Sequence, residues 1–161
     1  MEAATPIVKL HELIKDIKFA MLTTVDAGGY LRSRPMTTLE ADQGGDLYFF
    51  TRDDAPKVEQ TEQEHHVNVS YSEPSDHRYV SVSGTARLIY DREKIRELWR
   101  PPHKAFFEGP DDPHLALLRV TPQEAEYWDS GSNWIGQAIG FVKTMITGDE
   151  KDMGENEKLK L

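Results

Sequence analysis

Three cations in the segment from Tyr30 to Lys57, namely Arg32, Arg34 and Lys57, have the spacing to hold a doubly charged anion. Because side chains alternate along a strand, Arg32 and Arg34 share one face and lie about 6.5 to 7 Å apart. Lys57 comes at the predicted start of a helix, where unpaired backbone N–H groups carry partial positive charge. The set therefore predicts a phosphate site. Exposed Arg and Lys side chains are also ordinary surface residues, and spacing alone leaves both interpretations open.

Two predicted strands and a helix start position these cations. The strand at 30–39 contains Pro35, which cannot donate a ladder hydrogen bond, so we expect this strand at an edge of its sheet. The nearly all-apolar strand at 47–51 is expected to be buried on both faces. The segment R-D-D-A-P-K then places the cap residue Asp54 before a predicted helix at 55–63.

The rest of the chain is predicted to form short strands joined by turns, with a few helices. Gly84 interrupts a long strand and indicates a bulge or sharp bend, of the kind that helps a sheet to close. The sequence D-A-G-G predicts a hairpin turn. The remaining predicted elements are a helix at 7–17, strands at 19–25, 67–71 and 78–90, a helix at 91–99, a short helix or loop at 101–110, strands at 115–121 and 124–128, and a helix at 134–146.

This order of elements predicts a fold class. Six or seven strands, mostly in antiparallel meander order with inserted helices, favour a mainly β (α+β) fold built on a small closed or half-closed antiparallel barrel. At 161 residues the chain suits one domain, which we place at 1–148. Residues 149–161 are charged and contain glycine, so we predict a loosely ordered tail there.

Composition narrows the classes of partner and compartment. The formal net charge of −9 disfavours nucleic acids and anionic membranes as partners. No apolar run approaches the ~20 residues of a membrane helix. The absence of cysteine excludes thiol catalysis and cysteine-ligated metal sites. Because the N-terminus also shows no basic segment leading into an apolar one, we expect a cytoplasmic protein.

The histidines show no metal-binding pattern. His65 and His66 adjoin acidic residues, but neighbouring side chains on a strand point to opposite faces. The other histidines lack zinc spacing and form no H-E-x-x-H motif. No metal site is therefore predicted. The glycine-rich dinucleotide motif, the serine-hydrolase motif and the phosphate loop are also absent.

Five short motifs follow one another in an informative order: R-P-M, F-F-T, D-D-A-P-K, V-S-V-S-G-T-A and E-Y-W-D. In this order, over roughly residues 8 to 148, the sequence resembles the flavin-binding split barrels related to pyridoxamine 5'-phosphate oxidase, especially their general stress protein branch. The resemblance implies an antiparallel split barrel and a homodimer that binds flavin mononucleotide (FMN) at the subunit interface.

The resemblance also assigns residues to parts of FMN. Arg34 and Lys57 would bind the phosphate, whereas Arg32 has no counterpart in the motif. Trp128 would approach the flavin from the second subunit. The other implied contacts are Ser33, Pro35 and Met36 along the ribityl chain and ring, Phe50 and Thr51 at the border of the isoalloxazine, and Tyr79 at a further flavin-contacting position.

The sequence departs from the oxidase pattern at three places. Ala55 and Pro56 replace the serine and arginine of the oxidase, so that only Lys57 keeps a charge there. Tyr79 stands at the position of the oxidase's glutamine. The segment W-D-S-G-S-N-W has no cation where the oxidase carries the arginine-histidine-arginine segment that holds its vitamin substrate. Oxidation of vitamin B6 is therefore not the expected activity.

Several functional hypotheses follow from the resemblance. The first is an FMN-dependent oxidoreductase in a general stress protein-like role, acting on an unidentified small molecule with a nicotinamide cofactor or another small molecule as electron donor. His103 or His114 could supply a proton to such a reaction. The second is a non-catalytic module that binds flavin for stress response or storage. The third is a cofactor-free dimeric interaction domain. Sibling split barrels also leave heme and deazaflavin open as cofactors.

Overall fold

A computed structural model describes residues 5–39, 44–54, 65–130 and 155–161. Within these residues the elements are, in chain order, α1 (Pro6–Ile14), β1 (Phe19–Val25), β2 (Leu31–Thr37), β3 (Leu47–Arg52), β4 (His65–Glu73), β5 (Arg78–Ile89), α2 (Arg92–Leu98), β6 (Leu115–Asp129) and β7 (Glu155–Lys160). Two short 3-10 helices lie at Pro74–Asp76 and Pro101–Ala105. The helices predicted at 55–63 and 134–146 fall outside the described residues.

The described strands form one antiparallel sheet in the order β2-β1-β4-β5-β6-β3, and β7 pairs with the second half of β6. The predicted mainly β fold with antiparallel strands and peripheral helices is confirmed. Its two outermost strands on this path are β2 and β3. Pro35 lies in β2, as expected for a residue that cannot donate to a second neighbouring strand.

The turn between β1 and β2 is held by Asp26. Its Oδ1 accepts hydrogen bonds from the backbone N–H groups of Gly28 and Tyr30, both at 2.9 Å. Gly29 has a φ of +83°, a left-handed conformation that glycine adopts without a steric penalty. The D-A-G-G hairpin predicted from the sequence is therefore present, and it fixes the register in which Leu22 lies opposite Arg34.

Strand β6 differs from the prediction, because the expected strands at 115–121 and 124–128 are one continuous strand. Pro122 lies opposite Gly84, where the register between β5 and β6 shifts. On its other side, β6 pairs with β3 only as far as Val120 and with β7 only from Glu124. Pro122, which has no N–H to donate, therefore lies between the residues that pair with β3 and those that pair with β7. The strand continues through this proline. The bulge predicted at Gly84 is confirmed.

The C-terminal residues also differ from the prediction of a loosely ordered tail. Residues 155–160 form β7, which runs antiparallel to β6. Leu159 is buried in the barrel core, and the Tyr127 hydroxyl donates to Glu157 Oε2 at 3.0 Å. One apolar side chain and a backbone ladder therefore order a segment whose composition is mostly charged. The single domain at 1–148 stays a prediction.

Two apolar clusters pack on opposite faces of β3 and β6. One fills the barrel and includes Phe49, Leu118 and Val120. The other lies under α2 and includes Tyr48 and Leu117, with Phe50 packed against it. Strand β3 is therefore buried on both faces, as its apolar sequence predicted. The described helices are too short and too polar to cross a lipid bilayer.

Candidate functional site

A cavity of about 370 Å³ opens between the outermost strands β2 and β3. We call it the edge cavity. It brings together four of the residues that the resemblance assigned to flavin, namely Pro35 and Met36 of β2 and Phe50 and Thr51 of β3. Its other lining residues are Phe19, Thr37, Arg52, His103, Phe106 and Phe107. The lining is mostly apolar and aromatic, which is typical of a site for a flat organic ligand.

The position of the edge cavity follows from the sheet order. Strands β2 and β3 are paired with β1 and β6 respectively, and each has no strand partner on its other side within the described residues. An outermost strand presents backbone N–H and C=O groups that do not take part in a ladder. A ligand lying between β2 and β3 can therefore receive hydrogen bonds from the main chain of either strand.

Aromatic packing fixes Phe50 at one side of the edge cavity. The ring of Phe50 lies 4.8 Å from that of His103, 5.9 Å from that of Trp99 and 6.1 Å from that of Phe107, measured between centroids. Tilted and edge-to-face contacts at these distances are favourable. Residues from β3, the end of α2 and the segment after it thus form one rigid side of the cavity.

His103 is the side chain in the edge cavity best suited to proton exchange. It is 9% exposed, and its Nδ1 accepts the backbone N–H of Arg100 at 3.0 Å. Burial, together with the nearby Arg100 charge, lowers the pKa of His103. The neutral ring then carries its proton on Nε2, for which the described residues provide no hydrogen-bond partner. The sequence suggested His103 only as one of two possible proton donors, because its neighbours come from distant segments.

Thr51 offers a buried hydroxyl to the same cavity. It is 3% exposed, and its Oγ1 makes only a long 3.5 Å contact with the carbonyl oxygen of Arg52. A hydrogen bond of this length is weak, so the Thr51 hydroxyl can donate to a ligand atom instead with little loss of free energy. The Arg52 guanidinium is paired with Asp54, to which its Nε and Nη2 donate at 3.0 and 3.2 Å.

Arg34, one of the two predicted phosphate ligands, is not among the residues that line the edge cavity. The Arg34 guanidinium is half-buried, and its Nη1 donates to Thr24 Oγ1 at 2.7 Å. Burial lowers the pKa of Arg34 from its usual high value, which leaves the group charged at neutral pH. Arg32 pairs with Asp26 at 3.0 Å. Lys57 lies outside the described residues, so the two-cation phosphate site stays a prediction.

Ser33, Tyr79 and Trp128 lie on the outside of the sheet. Ser33 Oγ contacts Thr23 Oγ1 at 2.6 Å. Tyr79 and Trp128 are cross-strand partners on β5 and β6, and each is 43% exposed. Strands β1 and β4 separate this pair from β2 in the sheet. A single copy of the chain therefore does not bring Tyr79 and Trp128 into its own edge cavity.

Ser33 and Tyr79 belong to a larger surface, which we call the outer face, and Trp128 of β6 borders it. It consists of the outward side chains of four neighbouring strands: Phe19, Met21, Thr23 and Val25 of β1, Leu31, Ser33, Pro35 and Thr37 of β2, His66, Asn68, Ser70 and Ser72 of β4, and Tyr79, Ser81 and Ser83 of β5. These positions include no Asp, Glu, Lys or Arg, although the chain has a net charge of −9. Charged side chains border them, with Arg87 farther along β5 and with Glu124 and Glu126 on β6, opposite Ser83 and Ser81. Phe19 and Leu31 are 64% and 74% exposed.

A group of possible metal ligands, not anticipated from the sequence, lies beside β3. Oxygen or nitrogen atoms of Asp53, Asp54 and His114 all lie within 4.8 Å of one another. His114 Nδ1 is 3.0 Å from Asp53 Oδ1, and Arg52 donates to both oxygens of Asp54. These partners already occupy the ligand atoms, so the group is explained by its own ion pairs. Sequence spacing could not reveal it, because His114 comes from a separate loop.

The sequence profile described as pyridoxamine 5'-phosphate oxidase like matches residues 5–152. The chain belongs to this family. Among its relatives is the Protein bli-3 of Neurospora crassa, which is 34% identical over 150 residues, 86% of this chain and 72% of that protein. General stress protein 26 of Bacillus subtilis is 27% identical, over 76% of this chain and 88% of that protein.

A solved structure supports the same assignment. The general stress FMN/FAD binding protein of Xanthomonas citri superposes with a TM-score of 0.64 at 33% identity, over 75% of this chain and 86% of that one. The expected membership of the pyridoxamine 5'-phosphate oxidase-like family, in its general stress protein branch, is therefore confirmed. The split-barrel architecture follows from the family and from the antiparallel sheet with its two open edges.

Proposed function

We propose that this chain is an FMN-binding protein that holds its flavin in the edge cavity and transfers hydride or electrons to or from a small molecule. The observation that carries the proposal is the convergence of Pro35, Met36, Phe50 and Thr51 on one mostly apolar cavity between two unpaired strand edges. The FMN/FAD binding recorded for the Xanthomonas citri protein, at 33% identity, supports the same ligand class.

The residues present fit a flavin ring. Pro35 and Met36 offer apolar surface on one side, and the aromatic cluster around Phe50 offers a rigid surface on the other. The Thr51 hydroxyl and the backbone groups of β2 and β3 are placed to donate hydrogen bonds to polar atoms at the ring edge. These contacts would orient the ring and exclude water from it.

When bound, FMN supplies the hydride and electron transfer chemistry, and the chain supplies orientation and proton handling. His103 Nε2 is the atom that we assign to proton exchange, because it carries the proton of a neutral ring within the edge cavity. Arg34 and Lys57 are proposed to bind the phosphate. For Arg34 this requires exchange of its hydrogen bond to Thr24 for one to the phosphate.

We also propose that the functional unit is a homodimer joined through the outer face. Exposed apolar side chains on a surface without charged residues are typical of an interface. Tyr79 and Trp128 lie together at one side of this surface, away from their own edge cavity. In a two-fold symmetric dimer, each copy can present this pair to the other copy's site.

An absorbance spectrum tests the proposal directly. The purified chain, mixed with FMN and freed of excess ligand, is expected to retain a flavin spectrum with one FMN per chain. Anaerobic addition of reduced nicotinamide cofactor, or of dithionite as a chemical reductant, is expected to bleach it. A flavin that only dithionite bleaches would favour the non-catalytic binding module. A colourless protein would contradict the proposal, and a heme or deazaflavin spectrum would replace FMN as the cofactor.

Two variants test the proposed positions of the FMN ring and of the FMN phosphate. Thr51→Val removes a hydroxyl near the ring, so it is expected to weaken FMN and riboflavin equally, by about 0.5 to 1.5 kcal/mol. Lys57→Ala removes a charge near the phosphate, so it is expected to weaken FMN by about 1.5 to 3 kcal/mol and riboflavin little. Fluorescence titration measures all affinities, and Thr121→Val, on an exposed part of β6, serves as control. An equal loss of both ligands with Lys57→Ala would exclude its phosphate role.

A further inference from the structure

A second cavity, of about 760 Å³, is enclosed by α1, the start of β1, the end of β2 and the start of β3. We call it the helix cavity. Its volume lies within the range of about 300 to 1,000 Å³ that is typical of small-molecule sites. It shares Phe19, Thr37, His103 and Phe106 with the edge cavity, so the two cavities are neighbours with a common boundary.

Two polar groups of the helix cavity lack partners within the described part of the chain. Tyr71 is 3% exposed, and its hydroxyl makes no hydrogen bond there. Burial raises the pKa of Tyr71, so the hydroxyl keeps its proton and remains a donor. The Nε2 atom of His11 is buried and also has no partner. Buried polar atoms are normally hydrogen-bonded. The Tyr71 hydroxyl and His11 Nε2 belong to residues that line the same cavity, and a ligand there would satisfy them.

The charged groups around the helix cavity favour an anion. The described residues that line it include Lys15 and Lys18 and no Asp or Glu, in a chain that carries 28 acidic residues. The Lys15 ammonium is held by Glu12 at 2.8 Å. The Lys18 ammonium has no ion pair with a described acidic residue. Among the described residues, one ammonium without an ion pair, beside neutral donors, suits a single negative charge better than a doubly charged phosphate.

The remaining described lining of the helix cavity is mostly apolar. Its apolar side chains include Ile14, Ile17, Leu39, Leu47, Phe49 and Phe106. Most of these side chains belong to the barrel core or pack against it, so they form a preformed surface. A ligand with an apolar body is stabilised here because it removes that surface from water. The ligand is therefore expected to combine an apolar body with an anionic end.

We propose that the helix cavity is a second binding site, which takes an amphipathic monocarboxylic acid. Its carboxylate would accept hydrogen bonds from the Tyr71 hydroxyl and the His11 ring and would lie near the Lys18 ammonium. Its apolar body would lie among the isoleucine, leucine and phenylalanine side chains. This site does not depend on flavin binding, since only its boundary residues are shared with the edge cavity.

Isothermal titration of the full chain with 2-naphthoate, with and without FMN, tests this site. We expect one naphthoate per chain in both cases, and weaker binding of the uncharged analogue 2-naphthalenemethanol. Tyr71→Phe is expected to weaken naphthoate by about threefold to tenfold, because it removes one hydrogen bond. Lys18→Gln is expected to reduce the preference for naphthoate over the alcohol. Neither variant is expected to change FMN affinity.

Matched variants separate this role from a structural one. Tyr90→Phe and Lys160→Gln make the same chemical changes at exposed positions outside the cavity and are expected to leave naphthoate binding unchanged. Because the Tyr71 hydroxyl has no partner in the described fold, Tyr71→Phe is expected to unfold thermally no earlier than the unmodified chain. Absence of naphthoate binding, equal binding of the alcohol, no effect of Tyr71→Phe, or displacement of naphthoate by FMN would each overturn the proposal.

Discussion

Asp112 shows how one side chain can organise the loop that leads into β6. It is 5% exposed, and its two carboxylate oxygens accept the backbone N–H groups of Glu108 at 3.0 Å and His114 at 2.9 Å. These donors hold the pKa of Asp112 below its usual value. The loop starts directly after Phe106 and Phe107, which line the edge cavity. The carboxylate therefore helps to fix the position of the site.

We expect Asp112→Asn to lower stability at neutral pH and to make it less sensitive to acid. The amide can accept only one of the two N–H donors, and its own NH₂ faces the other. In the unmodified chain the pKa of Asp112 in the folded state lies below its unfolded value of about 3.9. The stabilisation by the Asp112 carboxylate is therefore present above that pH. It is lost as the pH falls through the lower folded pKa. Urea unfolding between pH 7 and pH 3 measures the difference between the two proteins.

Asp111→Asn is the control for this prediction. Asp111 lies one residue earlier, is exposed, and pairs with Arg96 only on the surface, where ion pairs contribute little. The free energy of unfolding of Asp111→Asn is expected to match that of the unmodified chain at every pH. If Asp112→Asn lost stability on acidification as steeply as the unmodified chain, the backbone hydrogen bonds would not be the source of the pH dependence.

Site residues could be predicted only where the sequence carried a motif. Pro35, Met36, Phe50 and Thr51 belong to short motifs of the family, and the structure brings them together. Strand alternation gave the face on which Arg34 lies, but not the hydrogen bond to Thr24 of the neighbouring strand. His103 approaches Phe50 from a segment about fifty residues away in the chain. No spacing rule connects residues that meet only through the tertiary fold.

At the scale of elements, Gly84 shows how closely β5 and β6 approach each other. A Cβ atom built on Gly84 would lie 2.2 Å from the carbonyl oxygen of Thr121 and 3.0 Å from Pro122 Cα. Both are backbone atoms, so no flexible side chain can move aside. The register shift between the two strands occurs at this glycine. The close approach therefore allows β6 to change its pairing partner from β3 to β7 without a break.

We expect Gly84→Ala to destabilise the fold by about 1 to 3 kcal/mol, the usual cost of forcing extra atoms into a packed region. The reason is that the two strands must separate to admit the methyl group. Chemical denaturation measures the free energy of unfolding. Gly109→Ala is the control, because a Cβ at Gly109 would have no atom within 4 Å. Equal effects of the two substitutions on the free energy of unfolding would show that the close contact between β5 and β6 is not the cause of the destabilisation.

The helices, strands and turns were predicted correctly where a local sequence pattern was enough to determine the structure. Strand β1, the turn at Gly29, the bulge at Gly84 and the fully buried β3 each follow from local pattern or glycine geometry. The break predicted at Pro122 was wrong, because a proline interrupts a strand only where its N–H is needed. Strand β7 was missed since its order depends on Leu159 reaching a core built by distant residues.

At the scale of the whole molecule, the distribution of charge says more than its total. The net charge of −9 excludes few partners by itself. The sheet register places uncharged outward side chains of β1, β2, β4 and the first half of β5 side by side as the outer face, bordered by Glu124 and Glu126 of β6. A hydrogen bond from Asn68 Nδ2 to Ser81 Oγ, at 2.9 Å, links polar side chains within it. Only the strand pairing places these short segments side by side, so the sequence alone could not show the surface.

We expect Met21→Glu to convert the proposed homodimer into a monomer. Met21 lies near the centre of the outer face, opposite Pro35 on β2 and Ser70 on β4, and is 41% exposed. A two-fold interface repeats each substitution, so two unpaired carboxylates would be buried together, which is strongly unfavourable. Multi-angle light scattering measures the mass, and fluorescence titration measures FMN affinity. The FMN affinity should fall when the dimer dissociates, because Tyr79 and Trp128 of the second copy would be lost from the site.

Val8→Glu, at a similarly exposed apolar position on α1, is the control and should leave the mass and the FMN affinity unchanged. A monomeric unmodified chain that binds one FMN per chain would contradict this arrangement, as would a Met21→Glu protein that remains dimeric.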